Sequence, residues 1–185
     1  MNRPTSHQLV CRYILPRENN SQSHRQFPHL FALIIGINKY LHGGRELCRD
    51  LNYCVADADA MSRFLQYDLG VPTSQIRNLR NEEATRQNII DGIKAFGTND
   101  CIKKATSSIF IFFAGHGSTS ACIDSKETYE VLCPSDINLD QDPLPSSYVY
   151  GIPDYEIRSL INTIANAEAK GNNIVSGLLL LTDDR

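Results

Sequence analysis

Residues Ser108-Ile109-Phe110-Ile111-Phe112-Phe113-Ala114-Gly115-His116-Gly117-Ser118 contain six consecutive apolar residues, Ile109 to Ala114, followed by one histidine between two glycines. The run is strand-length, rich in β-branched and aromatic side chains, and apolar throughout rather than alternating. It therefore predicts a strand buried on both faces, which belongs in a parallel sheet with helices packed on either side. His116 falls at the carboxyl end of this strand, where open α/β sheets bind their ligands. The flanking glycines lack Cβ, so a backbone or substrate can approach closely and the Gly117 amide is available as a donor. Taken alone, Gly-His-Gly reads equally well as a catalytic imidazole or as a histidine that closes a loop.

Upstream, Leu30 to Ile37 is a second apolar run of strand length and predicts the first central strand. From Val55 the apolar residues Val55, Ala58, Met61, Phe64, Leu65 and Leu69 recur at helical spacing, with Gly70 as the stop. Asp57 lies in the first turn of that helix, where a carboxylate offsets the positive end of the macrodipole. Ile76 to Arg80 is short and alternating, as expected near a sheet edge. Thr85 is placed to cap a helix carrying Ile89, Ile90, Ile93 and Phe96 on one face. Ile102 to Ser107 bridges from that helix to the histidine strand.

Downstream, Ser118 to Thr128 is polar and reads as a loop, and Tyr129 to Cys133 as a short strand ended by Pro134. Ser135 to Tyr150 has no period and reads as a surface loop. A third helix is expected from Asp154 to Gly171, with Ile157, Leu160, Ile161 and Ile164 facing the core. After the Asn172-Asn173 turn, Ile174 to Leu181 predicts the next parallel strand. Strands alternating with helices in this order predict a doubly wound, mostly parallel α/β sheet flanked by helices. Residues 1–29 are polar and predict a disordered leader. Its Val10–Leu15 patch could serve as a short edge strand or a partner-binding segment. Residues 30–185 form the single folded domain.

Composition narrows the function. With 18 basic and 21 acidic residues in 185, the net charge is −3 and no basic block occurs. Nucleic acid and anionic membrane surfaces are therefore not expected as partners. No apolar run reaches the ~20 residues needed to span a bilayer. Leu9 to Leu15 is broken by Cys11, Arg12 and Tyr13, so no signal-peptide core is present and a cytoplasmic location is expected. The six cysteines form no Cys-x-x-Cys pair and are read as free thiols of a reducing compartment. A nucleotide-binding Rossmann reading lacks the Gly-x-Gly-x-x-Gly turn, and an α/β-hydrolase reading lacks Gly-x-Ser-x-Gly.

Six stretches in order then suggest a family: Gly36-Ile37-Asn38-Lys39-Tyr40, Cys54-Val55-Ala56-Asp57-Ala58, Leu69-Gly70-Val71-Pro72, Asn81-Glu82-Glu83-Ala84-Thr85-Arg86, Phe113-Ala114-Gly115-His116-Gly117 and Gly151-Ile152-Pro153-Asp154. From Phe31 to Asn173 the chain resembles the caspase-like domain of metacaspases. The resemblance implies a cysteine endopeptidase that cleaves polypeptides after Arg or Lys with a Cys-His dyad. His116 would be the dyad histidine, Gly117 the oxyanion-hole donor, and Asp57 an acidic residue of the substrate pocket. Asp57 then has two readings of equal standing, pocket residue and helix-end charge. Ala114 stands where many members have Ser.

One departure is large. The family carries its nucleophile at the end of the next strand in an Asp-x-Cys-His-Ser-Gly stretch, but here no cysteine follows Cys133. The expectation is a C-terminally incomplete, catalytically inactive domain whose uncovered last strand favours self-association, or a decoy or scaffold for caspase-like partners. Cys54 is the only cysteine near the pocket segments and would be a substitute nucleophile at most. No cofactor is expected. The family resemblance allows calcium, for which Asp136, Asp140, Asp142 and Asp154 are available, but their spacing matches no known ligand loop.

Overall fold

A computed structural model describes residues 27–42, 48–103, 106–121, 128–138, 148–166 and 174–181. The elements are β1 (Leu30–Gly36), α1 (Cys54–Arg63), β2 (Ile76–Arg80), α2 (Arg86–Thr98), β3 (Ser108–Ala121), β4 (Thr128–Leu132), β5 (Ile152–Pro153), α3 (Asp154–Asn166) and β6 (Ile174–Leu181). The strands form one six-stranded sheet in the order β2-β1-β3-β4-β5, with β6 also paired to β3. β2, β1, β3 and β6 run parallel, as the two apolar runs predict.

Alternation along β1 supplies two cores. Phe31, Leu33 and Ile35 pack with Ile89, Ile93 and Phe96 of α2 and Ile164 of α3. Ala32 and Ile34 face the other way, onto Cys54 and Ala58 of α1. Because successive strand side chains point to opposite faces, a sheet covered on both sides needs apolar residues at every position. That requirement is why the strand sequence shows a run rather than a period.

β3 departs from the sequence reading. It does not stop before Gly115 but continues for 14 residues, through the histidine to Ala121. Its first half lies in the parallel sheet, with Leu30 to Gly36 paired against Ser108 to Ala114. Its second half, Gly117 to Ala121, pairs antiparallel with Leu132 to Thr128. The polar residues Ser118, Thr119 and Ser120 are half-buried or exposed, so the ladder here has a solvated side and lacks the apolar signature of a buried strand. β4 adds the two-residue strand β5, which has no counterpart in the sequence reading. Asn138 and Val149 bridge within the segment read as a surface loop.

The helices follow their signals, with local differences. α1 ends at Arg63 and runs on as a π-helical turn, Phe64–Asp68, before Gly70 at φ 65°. At α2 the Thr85 hydroxyl accepts from the Asn88 amide at 3.2 Å, the expected N-cap. The Asp136 carboxylate accepts from the Arg86 amide at 2.8 Å and satisfies a second donor of the same helix end. Thr85→Ala should cost about 1 kcal/mol; the denaturation midpoint should fall with an unchanged slope.

Phe27, Pro28 and His29, which end the expected leader, are tied to the domain. Phe27 donates to the Leu69 carbonyl and the His29 carbonyl accepts from Ser108, both at 2.9 Å. The rest of the leader, the Gly171 helix stop and the charged residues after Leu181 lie outside the described residues. Among the described residues no helix is long and apolar enough to cross a membrane.

Candidate active site

The site lies where β1 and β3 end together, with Gly36 paired to Ala114. Two asparagines shape the loop after β1. Asn81 directly follows β2 with φ 44°, a conformation Asn tolerates better than most residues. Its side-chain oxygen accepts from the amides of Asn38 (2.9 Å) and Lys39 (3.1 Å). Asn38 in turn accepts from the Val55 amide through its side chain (3.2 Å) and from the Leu51 amide through its carbonyl (2.8 Å). Asp50 accepts from the Tyr40 amide and pairs with Lys39. The loop is thereby folded back over the sheet end, and α1 starts beside it.

His116 is 5% exposed. Its Nε2 lies 2.7 Å from the Arg49 carbonyl oxygen. A carbonyl can only accept, so this contact places a proton on Nε2. The His116 backbone is held on both sides. Its amide donates to the Tyr40 hydroxyl at 2.8 Å, and its carbonyl accepts from the Cys133 amide at 3.0 Å. The Tyr40 and imidazole rings sit 5.1 Å apart, tilted by 48°. Burial holds the Tyr40 hydroxyl protonated well above its ordinary range. Tyr40→Phe should leave a buried backbone N–H unpaired and cost about 1–3 kcal/mol, measured as a lower denaturation midpoint.

The close approach of Tyr40 explains Gly115. A Cβ there would lie 3.0 Å from the Tyr40 oxygen and 2.9 Å from the Phe113 ring. Gly117 opens the antiparallel half of β3, opposite Leu132. Asp57 sits half-buried in the first turn of α1, at the same end of the sheet as His116. The structure thus gathers His116, Gly117 and Asp57 around one sheet end, on two separate elements.

Cys54 fares poorly as a nucleophile. It is fully buried, and desolvation, reinforced by the Asp57 charge, pushes its thiol up to about 11. The aspartates named for calcium do other work where they are described: Asp136 caps α2 and Asp154 pairs with Arg158. Asp140 and Asp142 lie outside the described residues. Among the described residues no group of three or more His, Cys, Asp or Glu side chains gathers to hold a metal ion.

Sequence reasoning missed Tyr40, Arg49 and the two asparagines. Asn38 and Tyr40 lie inside a quoted motif, but nothing in a sequence says which backbone carbonyl will meet an imidazole.

The family model of the caspase domain matches residues 29–163, which include His116, Gly117, Asp57 and the residues that hold them. The chain belongs to the caspase-domain family. Comparison with curated proteins returned no match. Among solved structures, the crystal structure of protein GSU0716 from Geobacter sulfurreducens is similar, with a TM-score of 0.59 at 20% identity. The likeness covers 82% of this chain and 49% of that one, so this caspase domain spans about half the length of the solved chain. At that identity the likeness concerns the fold alone.

Proposed function

We propose that this caspase domain is the histidine-bearing part of a metacaspase-type cysteine endopeptidase, acting on polypeptides after Arg or Lys in the cytoplasm. The observation that carries the reading is the buried imidazole of His116 at the carboxyl end of the parallel half of β3, fixed through Nε2 to a backbone carbonyl. A thiol is mostly protonated at neutral pH, so a neighbouring imidazole is needed to take its proton and later return it to the leaving amine. Gly117 supplies the amide for the developing oxyanion. Asp57, a carboxylate beside the same sheet end, receives the substrate cation.

The nucleophile is the missing component. β6 ends with Leu181 paired to His116, which is where a thiol would meet the imidazole, and no residue from Pro134 to Arg185 is a cysteine. The 185-residue chain is accordingly inactive alone. A form carrying an Asp-x-Cys-His-Ser-Gly segment after Asn173 tests the site. It should cleave peptidyl-Arg and peptidyl-Lys amides, lose that activity with His116→Ala, and lose affinity for both with Asp57→Asn. Turnover that survives His116→Ala would overturn the assignment.

A binding role has one observation in its favour. Among the described residues β6 pairs only with β3, so its other side offers backbone donors and acceptors to another strand. Pairing there, with a second copy or a caspase-like partner, would show as a concentration-dependent dimer in sedimentation. A monomer with strongly protected amides over 174–181 would refute it.

A further inference from the structure

Two cysteines left unused by the proposed chemistry meet beside the histidine. Cys48 and Cys133 are 85 positions apart in sequence, both buried, both free, and packed in the same core cluster. Their thiols are hydrogen-bonded, with Cys133 donating to the Cys48 sulfur. Both line a cavity of about 430 Å³ whose wall also includes Arg86, Tyr129, Tyr155 and Glu156. A small oxidant can therefore reach sulfurs that are otherwise enclosed.

The pair also touches the supports of His116. Cys48 immediately precedes Arg49, whose carbonyl holds Nε2, and the Cys133 amide itself donates to the His116 carbonyl.

We propose that Cys48 and Cys133 form a reversible dithiol–disulfide site, closed by a hydroperoxide through the cavity, that sets the backbone anchoring His116. The Cys48 sulfur attacks the peroxide, breaking the O–O bond; Cys48 becomes a sulfenic acid and one water leaves. The Cys133 thiol then attacks the Cys48 sulfur, a second water leaves, and the S–S bond forms at about 2.05 Å. Two thiols and one hydrogen peroxide give one disulfide and two waters, with two electrons passing from sulfur to oxygen. A dithiol reductant reverses the step by exchange. The hydrogen bond favours this order, because donation from Cys133 draws Cys48 below the usual thiol range while Cys133 is held above it. Cys48 lies outside regular secondary structure, so closing the bond breaks no helix or strand hydrogen bond of its own. Two ligands are too few for a structural zinc site, which takes four.

The test uses the intact chain with all six cysteines. After treatment with hydrogen peroxide and alkylation of the remaining thiols, proteolytic mapping should show a linked Cys48–Cys133 peptide in most molecules. Dithiothreitol should restore both thiols. In parallel, the His116 imidazole resonances should shift with peroxide and return with reductant. Cys133→Ala should abolish both the link and the shift, and Cys48→Ala provides a second variant should the first unfold. Free or singly oxidised Cys48 and Cys133 without a link would overturn the site. A link that leaves the His116 resonances unmoved would overturn its coupling to the histidine. Neither readout requires peptidase activity, so this inference can fail while the peptidase reading stands, and the reverse.

Discussion

Purified as 185 residues, the chain is expected to release no more product from peptidyl-Arg and peptidyl-Lys amide reporters than buffer does. In a comparable catalytic unit, loss of the nucleophile costs on the order of a million-fold in turnover. The described cysteines offer no ready substitute. With the Cys54 thiol pushed up to about 11, about one molecule in ten thousand carries the thiolate at pH 7. Cys133 is held protonated by its hydrogen bond to Cys48 and by burial. Cys48 ionises more readily, but it is 3% exposed and reached only through the cavity, which suits a small oxidant better than a peptide carbonyl. Alkylation followed by mapping gives an independent check: Cys54 should react slowly at pH 7, and faster as the pH rises towards 11. Measurable hydrolysis abolished by Cys54→Ala, or by Cys48→Ala, would name that residue as the nucleophile and end the reading of an inactive chain.

The parts of this fold that were legible in the sequence are those with a compositional cost for being otherwise. β1 and the first half of β3 are covered on both faces, so no polar side chain is tolerated and the runs stand out. Thr85 was readable because a helix end leaves amide donors that few side chains can satisfy. The second half of β3 was not readable. Once the strand leaves the two-sided core it needs only backbone partners from β4, and Ser118-Thr119-Ser120 supplies those as well as any residues would. The site divides in the same way. His116 announced itself by chemistry and position. Arg49 contributes a carbonyl that any residue would carry, and the meeting of Cys48 with Cys133 depends on a chain path that no local pattern encodes. Asp57 was visible only as two equal readings, and its place in the first turn of α1 is compatible with either.

Gly36→Ala is expected to destabilise the domain by about 3 kcal/mol, the upper end of the usual range for an overpacked site. Gly36 ends β1 beneath the first turns of α1. A Cβ there would stand 2.6 Å from the Ala58 Cβ, 2.7 Å from the Cys54 carbonyl oxygen and 3.1 Å from the Val55 Cα. None of these is the tip of a flexible side chain, so relief requires α1 to move off the sheet. That movement would strip the Asn38 side chain from the Val55 amide and pull on the Arg80–Asp59 ion pair, both of which fix α1. Asp57 would travel with the helix, so the substitution should damage the candidate pocket as well as the fold. Gly97→Ala is the control within the same chain. It lies in α2, and its added Cβ would meet only Ile164 Cγ1 at 3.6 Å, an ordinary contact. Relief of the glycine penalty should make that variant as stable as the parent or up to ~1 kcal/mol more stable. Paired denaturation curves decide the matter, because equal midpoints for the two variants would mean that α1 does not press on β1 as closely as Gly36 requires.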